Sequence, residues 1–154
     1  MNKANKIEAN KIDFFTKEDL GAVVKIENRC HLTPWTNKNF IDSYDAKNLF
    51  KVLKNETDII GYYIALFASD ECELLNITVK SDLQRNGFGK LMLKDLFNEC
   101  RNENIVNIFL EVRRSNLLAI RLYENNGFNE IGIRNNYYQN RDCKEDAILM
   151  GFAI

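Results

Sequence analysis

Two residues have the chemistry for proton transfer. Glu111 closes the apolar run Ile108-Phe109-Leu110, where an ionised carboxylate is costly unless it is paired, hydrated or in use. Partial burial raises a carboxylate's pKa and would suit it to act as a general base near neutral pH. A strand-end glutamate bound to Arg113, Arg114 or water fits the same pattern. Tyr123 follows among Ala119, Ile120 and Leu122. Its phenol is either a packed ring with a bonded hydroxyl or a general acid for a departing thiolate. Asn116 can cap a helix or offer its amide to a ligand crossing the gap.

The stretch Gln84-Arg85-Asn86-Gly87-Phe88-Gly89-Lys90 offers anion binding. A strand that runs through glycines into a helix start points several backbone N–H groups into one space, and the helix dipole favours phosphate there. A plain tight turn uses the same glycines. Two phosphate motifs are excluded: Leu83 and Leu91 stand where a P-loop needs its first glycine and its hydroxyl, and Met92 stands where the dinucleotide fingerprint needs a third glycine. His31, the one histidine, reads as an ordinary loop residue beside Cys30, and Cys100 as core.

The elements that must position these groups follow from periodicity. Lys11 to Phe15 reads as a strand, and Thr16 with Asp19 as a start box for a helix from Leu20 to near Arg29. Thr36 caps a second helix through Tyr44. Leu49–Leu53 and Ile59–Phe67 read as a hairpin and Glu73–Val79 as the next strand. Phe88, Met92, Leu93, Leu96, Phe97 and Cys100 share one helix face. Ile105–Val112 reads as a strand buried on both sides, Ser115 as the cap of a helix over residues 116–126, and Gly127 as its left-handed stop. Phe128–Ile133 and Ala147–Ile154 close a mixed α/β sheet covered on both faces.

Composition narrows the function. The 154 residues are 45% hydrophobic and 28% charged, which suits one domain over residues 1–154. A net charge of −1, with no Lys/Arg run, argues against direct nucleic-acid binding. No apolar stretch reaches a membrane span, and the polar start Met1 to Lys11 lacks the apolar centre of a secretory signal, so a cytoplasmic location and no membrane contact are expected. Cys30, Cys72, Cys100 and Cys143 are widely spaced, which points to reduced thiols and no metal site.

The order of these features resembles the GNAT superfamily of acetyl-CoA-dependent N-acetyltransferases. Its loop, Gln/Arg-x-x-Gly-x-Gly/Ala, is matched by Gln84, Gly87 and Gly89, and the likeness runs over nearly the whole chain. Within it the chain is similar to the RimI family of ribosomal-protein-alanine N-acetyltransferases. The matching residues are Pro34-Trp35, Leu75-Asn76-Ile77, Leu110-Glu111-Val112-Arg113, Ser115-Asn116, Ala119-Ile120, Leu122-Tyr123-Glu124, Gly127-Phe128, Ile133-Arg134, Asn136-Tyr137-Tyr138 and Glu145-Asp146-Ala147. Leu32-Thr33 and the loop from Gln139 to Lys144 depart from the pattern.

The resemblance implies a GNAT fold: a mostly antiparallel mixed sheet, helices on both faces and a splay between the two central strands. It implies acetyl-CoA as cosubstrate, without metal, and a protein N terminus as acceptor, in particular the N-terminal alanine of a small-subunit ribosomal protein. A lysine, a polyamine or another small amine is the alternative. Ile77, Thr78 and Val79 would hold the pantetheine arm, Arg85, Asn86, Gly87, Phe88, Gly89 and Lys90 the pyrophosphate, and Asn116 would add a contact. Glu111 maps onto the proton acceptor and Tyr123 onto the proton donor, while Pro34, Trp35, Tyr137 and Tyr138 would wall the acceptor groove. An α-ammonium with a pKa of about 7.7 to 8.0 is roughly a tenth neutral at pH 7, so a modest base suffices. A monomer or weak dimer is expected.

Overall fold

The computed structural model describes residues 10–154. The expected polar leader therefore lies, up to residue 9, outside the described residues. Seven strands form one sheet: β1 (Asn10–Phe14), β2 (Leu49–Asn55), β3 (Asp58–Ala68), β4 (Glu71–Val79), β5 (Asn107–Arg113), β6 (Asn129–Gln139) and β7 (Lys144–Ala153). Their spatial order is β1-β2-β3-β4-β5-β7-β6, and only the β4–β5 pair is parallel.

Among the described residues four α-helices cover the sheet: α1 (Leu20–Cys30), α2 (Asn37–Asp45), α3 (Phe88–Asn102) and α4 (Leu117–Asn125). Their starts obey local chemistry. Thr16 and Asp19 form the expected box, ahead of a short 3-10 turn, and the Thr36 side chain accepts from the Asn39 N–H. The cap of α4 is Asn116, not Ser115: its Oδ1 accepts from the Ala119 N–H at 3.2 Å. Gly127, at φ 98°, ends that helix as expected.

On one face of the sheet, α3 presents Met92, Leu93, Leu96 and Cys100 to Ile108, Leu110, Val112 and Met150, all buried. Full burial of each such leucine or methionine contributes about 1.5–3 kcal/mol, and Leu96→Ala would cost about 2–5 kcal/mol through the cavity it leaves. On the other face, Val23 and Ile26 of α1 and Phe40 of α2 cover Phe50, Val52, Tyr62 and Ile64. Those helices pack on β2 to β4. Beyond them Phe109, Glu111, Ile131 and Leu149 line an open groove.

That groove corrects the expectation that β5 is buried on both sides. Its burial alternates: Ile108, Leu110 and Val112 are enclosed under α3, while Phe109, Glu111 and Arg113 are half-buried on the opposite face, beyond the cover of α1 and α2. An all-apolar run conceals this, because Phe109 reads as core in sequence although it faces a groove. β6 also outruns its expected end at Ile133, so that Tyr137 and Tyr138 lie on a strand.

The splay is present. Parallel pairing runs from Glu71 opposite Asn107 to Leu74 opposite Leu110 and then stops, although the strands continue to Val79 and Arg113. A bulge accompanies it: Ala65 pairs with Leu74 and Ile64 with Asn76, which leaves Leu75 as the extra residue. The extra residue twists β4 and resets its alternation, so Ile77 and Val79 face the α3 core while Leu75 and Asn76 face α1.

Candidate active site

The splay opens into a cavity of about 360 Å³. β4 forms one wall with Ile77, Thr78 and Val79; the turn from Gln84 to Lys90 closes one end; and Asn116, Ala119, Leu122 and Tyr123 of the α4 region form the opposite wall. From Leu75 onward, no strand among the described residues pairs with the β4 edge facing β5, so the backbone groups there, other than the Val79 carbonyl that Gln84 and Cys30 occupy, are available to an extended amide-bearing ligand.

The turn is shaped for an anion. Gln84 Nε2 donates to the Val79 carbonyl at 3.0 Å, which ties the turn to β4. Arg85 (φ 62°) and Gly87 (φ 88°) are left-handed, and alternation of this kind turns successive N–H groups inward. No side chain caps α3, so the N–H groups of Phe88, Gly89 and Lys90 in its first turn are free for a ligand. A Cβ on Gly89 would lie 2.8 Å from Leu122 Cδ2, so only glycine lets α3 and α4 meet without displacing that leucine. Donor amides, a positive dipole and the Arg85 and Lys90 side chains fit a pyrophosphate. Asn86 does not line the cavity; its Nδ2 donates to the Leu83 and Gln84 carbonyls at 3.0 and 3.1 Å and braces the turn from behind.

Tyr123 lines the cavity although it is only 6% exposed. Burial pushes its phenol above the ordinary range, so the hydroxyl carries its proton at neutral pH. Its ring meets Phe128 edge-on at 5.7 Å. Glu111 does not line this cavity. It sits in the neighbouring groove, where its Oε1 accepts from Arg134 at 2.7 Å. Its partner is thus Arg134 rather than Arg113 or Arg114.

Around Glu111 the structure gathers Tyr137 and Tyr138. Arg134 lies 4.1 Å from the centre of the Tyr137 ring, and Arg113 lies 4.3 Å from that of Tyr138. Burial, with the Glu111 charge second, pushes the Tyr138 phenol up to about 12. Pro34 and Trp35, expected in the wall of the acceptor groove, do not line the groove that holds Glu111. Trp35 is half-buried and packs on Phe40 at 5.2 Å, and Pro34 is exposed. The α1–α2 loop reaches the site through Thr33, whose Oγ1 accepts from Arg113 at 2.7 Å.

Four contributors were not visible as such in the sequence. Arg113 is a hub: besides Thr33 it donates to Asn140 Oδ1 at 2.8 Å and Glu145 Oε1 at 3.3 Å, and it lines the cavity. Glu145 in turn accepts from the Ser115 N–H at 2.9 Å, and its bonds to Ser115 and Arg113 hold its carboxyl below the usual range. His31 is not an ordinary loop residue. It lines the cavity and its Nε2 lies 2.8 Å from Thr78 Oγ1. Glu27 is buried on α1 and accepts from Asn76. The sequence does carry a trace of it, since Glu27 falls at helical spacing with Val23 and Ile26 on an apolar face.

Among the described residues no cluster of three or more His, Cys, Asp or Glu side chains is placed to hold a metal ion, and no helix is long and apolar enough to cross a membrane. Residues 20–128 match the acetyltransferase (GNAT) family. The chain belongs to that family. This GNAT chain is 39% identical over 145 residues to the [ribosomal protein bS18]-alanine N-acetyltransferase of Salmonella typhimurium (strain LT2), with 94% of the chain and 98% of the relative covered. The crystal structure of the ribosomal-protein-S18-alanine N-acetyltransferase from Escherichia coli matches it with a TM-score of 0.88 at 39% identity, covering 94% of each chain. Ard1 from Thermoplasma volcanium matches with a TM-score of 0.87 at 26% identity, covering 95% of this chain and 98% of the other.

Proposed function

We propose that this chain is a single-domain cytoplasmic enzyme that transfers the acetyl group of acetyl-CoA to the N-terminal alanine of ribosomal protein bS18. The observation that carries the reading is the splay, with an anion cradle at one end, a protonated tyrosine in its wall and a carboxylate on the neighbouring strand. Identity of 39% over 94% of the chain to a bS18-alanine N-acetyltransferase supports the acceptor.

In this reading the N–H groups at the start of α3, with Arg85 and Lys90, hold the pyrophosphate, and the free β4 edge at Ile77 to Val79 aligns the pantetheine arm. The thioester supplies an activated acetyl group. Glu111 removes a proton from the α-ammonium through water, and the amine attacks directly with no covalent enzyme intermediate. Tyr123, protonated because it is buried, gives its proton to the leaving sulfur. Tyr137 and Tyr138, stacked under their arginines, form one wall of the acceptor path.

The test is incubation with acetyl-CoA and peptides beginning Ala, Ser, Met or Gly, alongside a peptide whose only free amine is an internal lysine. Product at the α-amine, greatest for the bS18 N-terminal sequence, is expected. Product on the lysine control alone would replace the acceptor assignment.

A further inference from the structure

We infer that His31 is a second proton acceptor in this site, held in the required tautomer by a buried relay that starts at Glu27. The inference rests on the acetyltransferase reading above.

The relay reads in one direction. The Glu27 carboxylate, 1% exposed, accepts from the Tyr62 hydroxyl, the Trp35 N–H and Asn76 Nδ2. A carboxylate with these donors can only point the NH₂ end of Asn76 towards itself, which leaves Asn76 Oδ1 facing Thr78. Thr78 donates its hydroxyl proton to that oxygen at 2.9 Å. Its Oγ1 then accepts from His31 Nε2 at 2.8 Å. The opposite tautomer would leave buried Asn76 Oδ1 without its donor and aim an imidazole lone pair at Glu27 Oε2, 3.5 Å away. Nε2 therefore carries the proton, and Nδ1 is an acceptor. Among the described residues no protein group bonds Nδ1, and His31 lines the cavity beside Cys30, Arg113 and Tyr123.

The reaction has a step for such a group. An α-ammonium has three N–H bonds and the product amide one, so nitrogen loses two protons. One leaves through Glu111. As the N–C bond forms and the C–S bond breaks, its electron pair goes to sulfur, which takes the Tyr123 proton. The second nitrogen proton must end on the Tyr123 phenolate, and an acceptor beside the amine would carry it there. Glu111 is bound to Arg134 at 2.7 Å and does not line the cavity, whereas His31 does. His31 Nδ1 takes the other and returns it through water to the Tyr123 phenolate. Glu111 lies on β5, and His31, the residue after α1, bonds Thr78 of β4, so the two acceptors flank the splay. His31 is thus a catalytic residue, and Glu27, Asn76 and Thr78 are positioning residues.

Two measurements on the full chain test this. His31→Gln keeps an amide donor for Thr78 but loses basicity; kcat should fall about 100-fold, with the acetyl-CoA Kd from calorimetry unchanged. Because His31 is the only histidine, the imidazole ¹⁵N shifts of tag-free protein report a single residue: they should show Nε2–H with bare Nδ1, and mixed tautomers in Glu27→Gln. A kcat for His31→Gln within about threefold of an active wild type, or a wild-type Nδ1–H tautomer, would overturn the inference alone. A wild type inactive on every α-amine peptide would overturn the acceptor reading, and this role with it.

Discussion

The two ends of the splay are made of different material. The cradle end is mainly backbone: left-handed Arg85 and Gly87, uncapped N–H groups at the start of α3, and a free β4 edge, braced locally by Gln84 and Asn86. The proposed acceptor end is side-chain architecture joined over long sequence distances, with Arg113 reaching Thr33, Asn140 and Glu145, and Arg134 holding Glu111. A backbone site recognises what every CoA ester shares, whereas a side-chain site can be retuned residue by residue. The two ends should therefore fail separately when mutated.

The largest effects should fall on chemistry with binding untouched. Tyr123→Phe removes the donor but keeps the ring on Phe128; kcat should drop about 100-fold or more, while calorimetry finds the same acetyl-CoA Kd. Glu111→Gln should lower kcat by a similar factor of about 100, measured at saturating peptide. Normal turnover in either variant would remove that role. Gly87→Trp should do the converse. An indole at a φ of 88° both strains the turn and fills the cradle, so the acetyl-CoA Kd should weaken by at least about tenfold, equivalent to about 1.4 kcal/mol. An unchanged Kd would show that the pyrophosphate binds elsewhere.

Smaller effects sharpen the division. Arg113→Met cuts the bonds to Thr33, Asn140 and Glu145 and the stacking on Tyr138; steady-state assays should show a peptide KM raised about tenfold, the scale of one charge-assisted bond. A kcat loss with KM unchanged would instead place Arg113 in the chemistry. Asn116→Ala should cost about 1 kcal/mol of stability through the lost helix cap, read by denaturant unfolding. Any accompanying rise in acetyl-CoA Kd would give Asn116 a ligand contact besides the cap.

The same division explains what could be read from sequence. The cradle was legible because its parts are consecutive: glycines at a strand-to-helix junction carry conformational meaning wherever they occur. The helix faces were legible from spacing, whereas the choice of a proton-donor role for Tyr123 came only with the family resemblance. The partner of Glu111 was not, since Arg134 meets it only after β7 has inserted between β5 and β6, a long-range pairing that no local pattern encodes. His31 is not legible because a loop histidine has no periodicity, and its contacts depend on Thr78, which the Leu75 bulge sets facing α1. Phe109 and Ser115 went astray for smaller reasons. An apolar run hides which face is covered, and adjacent Ser and Asn are both good caps.

The account stands most directly on where the acetyl group lands. Wild-type protein, acetyl-CoA and equal amounts of two peptides with the bS18 N-terminal sequence should be incubated together, one with a free α-amine and one with that amine blocked and a free internal lysine. Fragmentation mass spectrometry should find the acetyl group on the N-terminal alanine of the first peptide and none on the second. Equal labelling of the lysine, or no labelling of the alanine, would contradict the assignment.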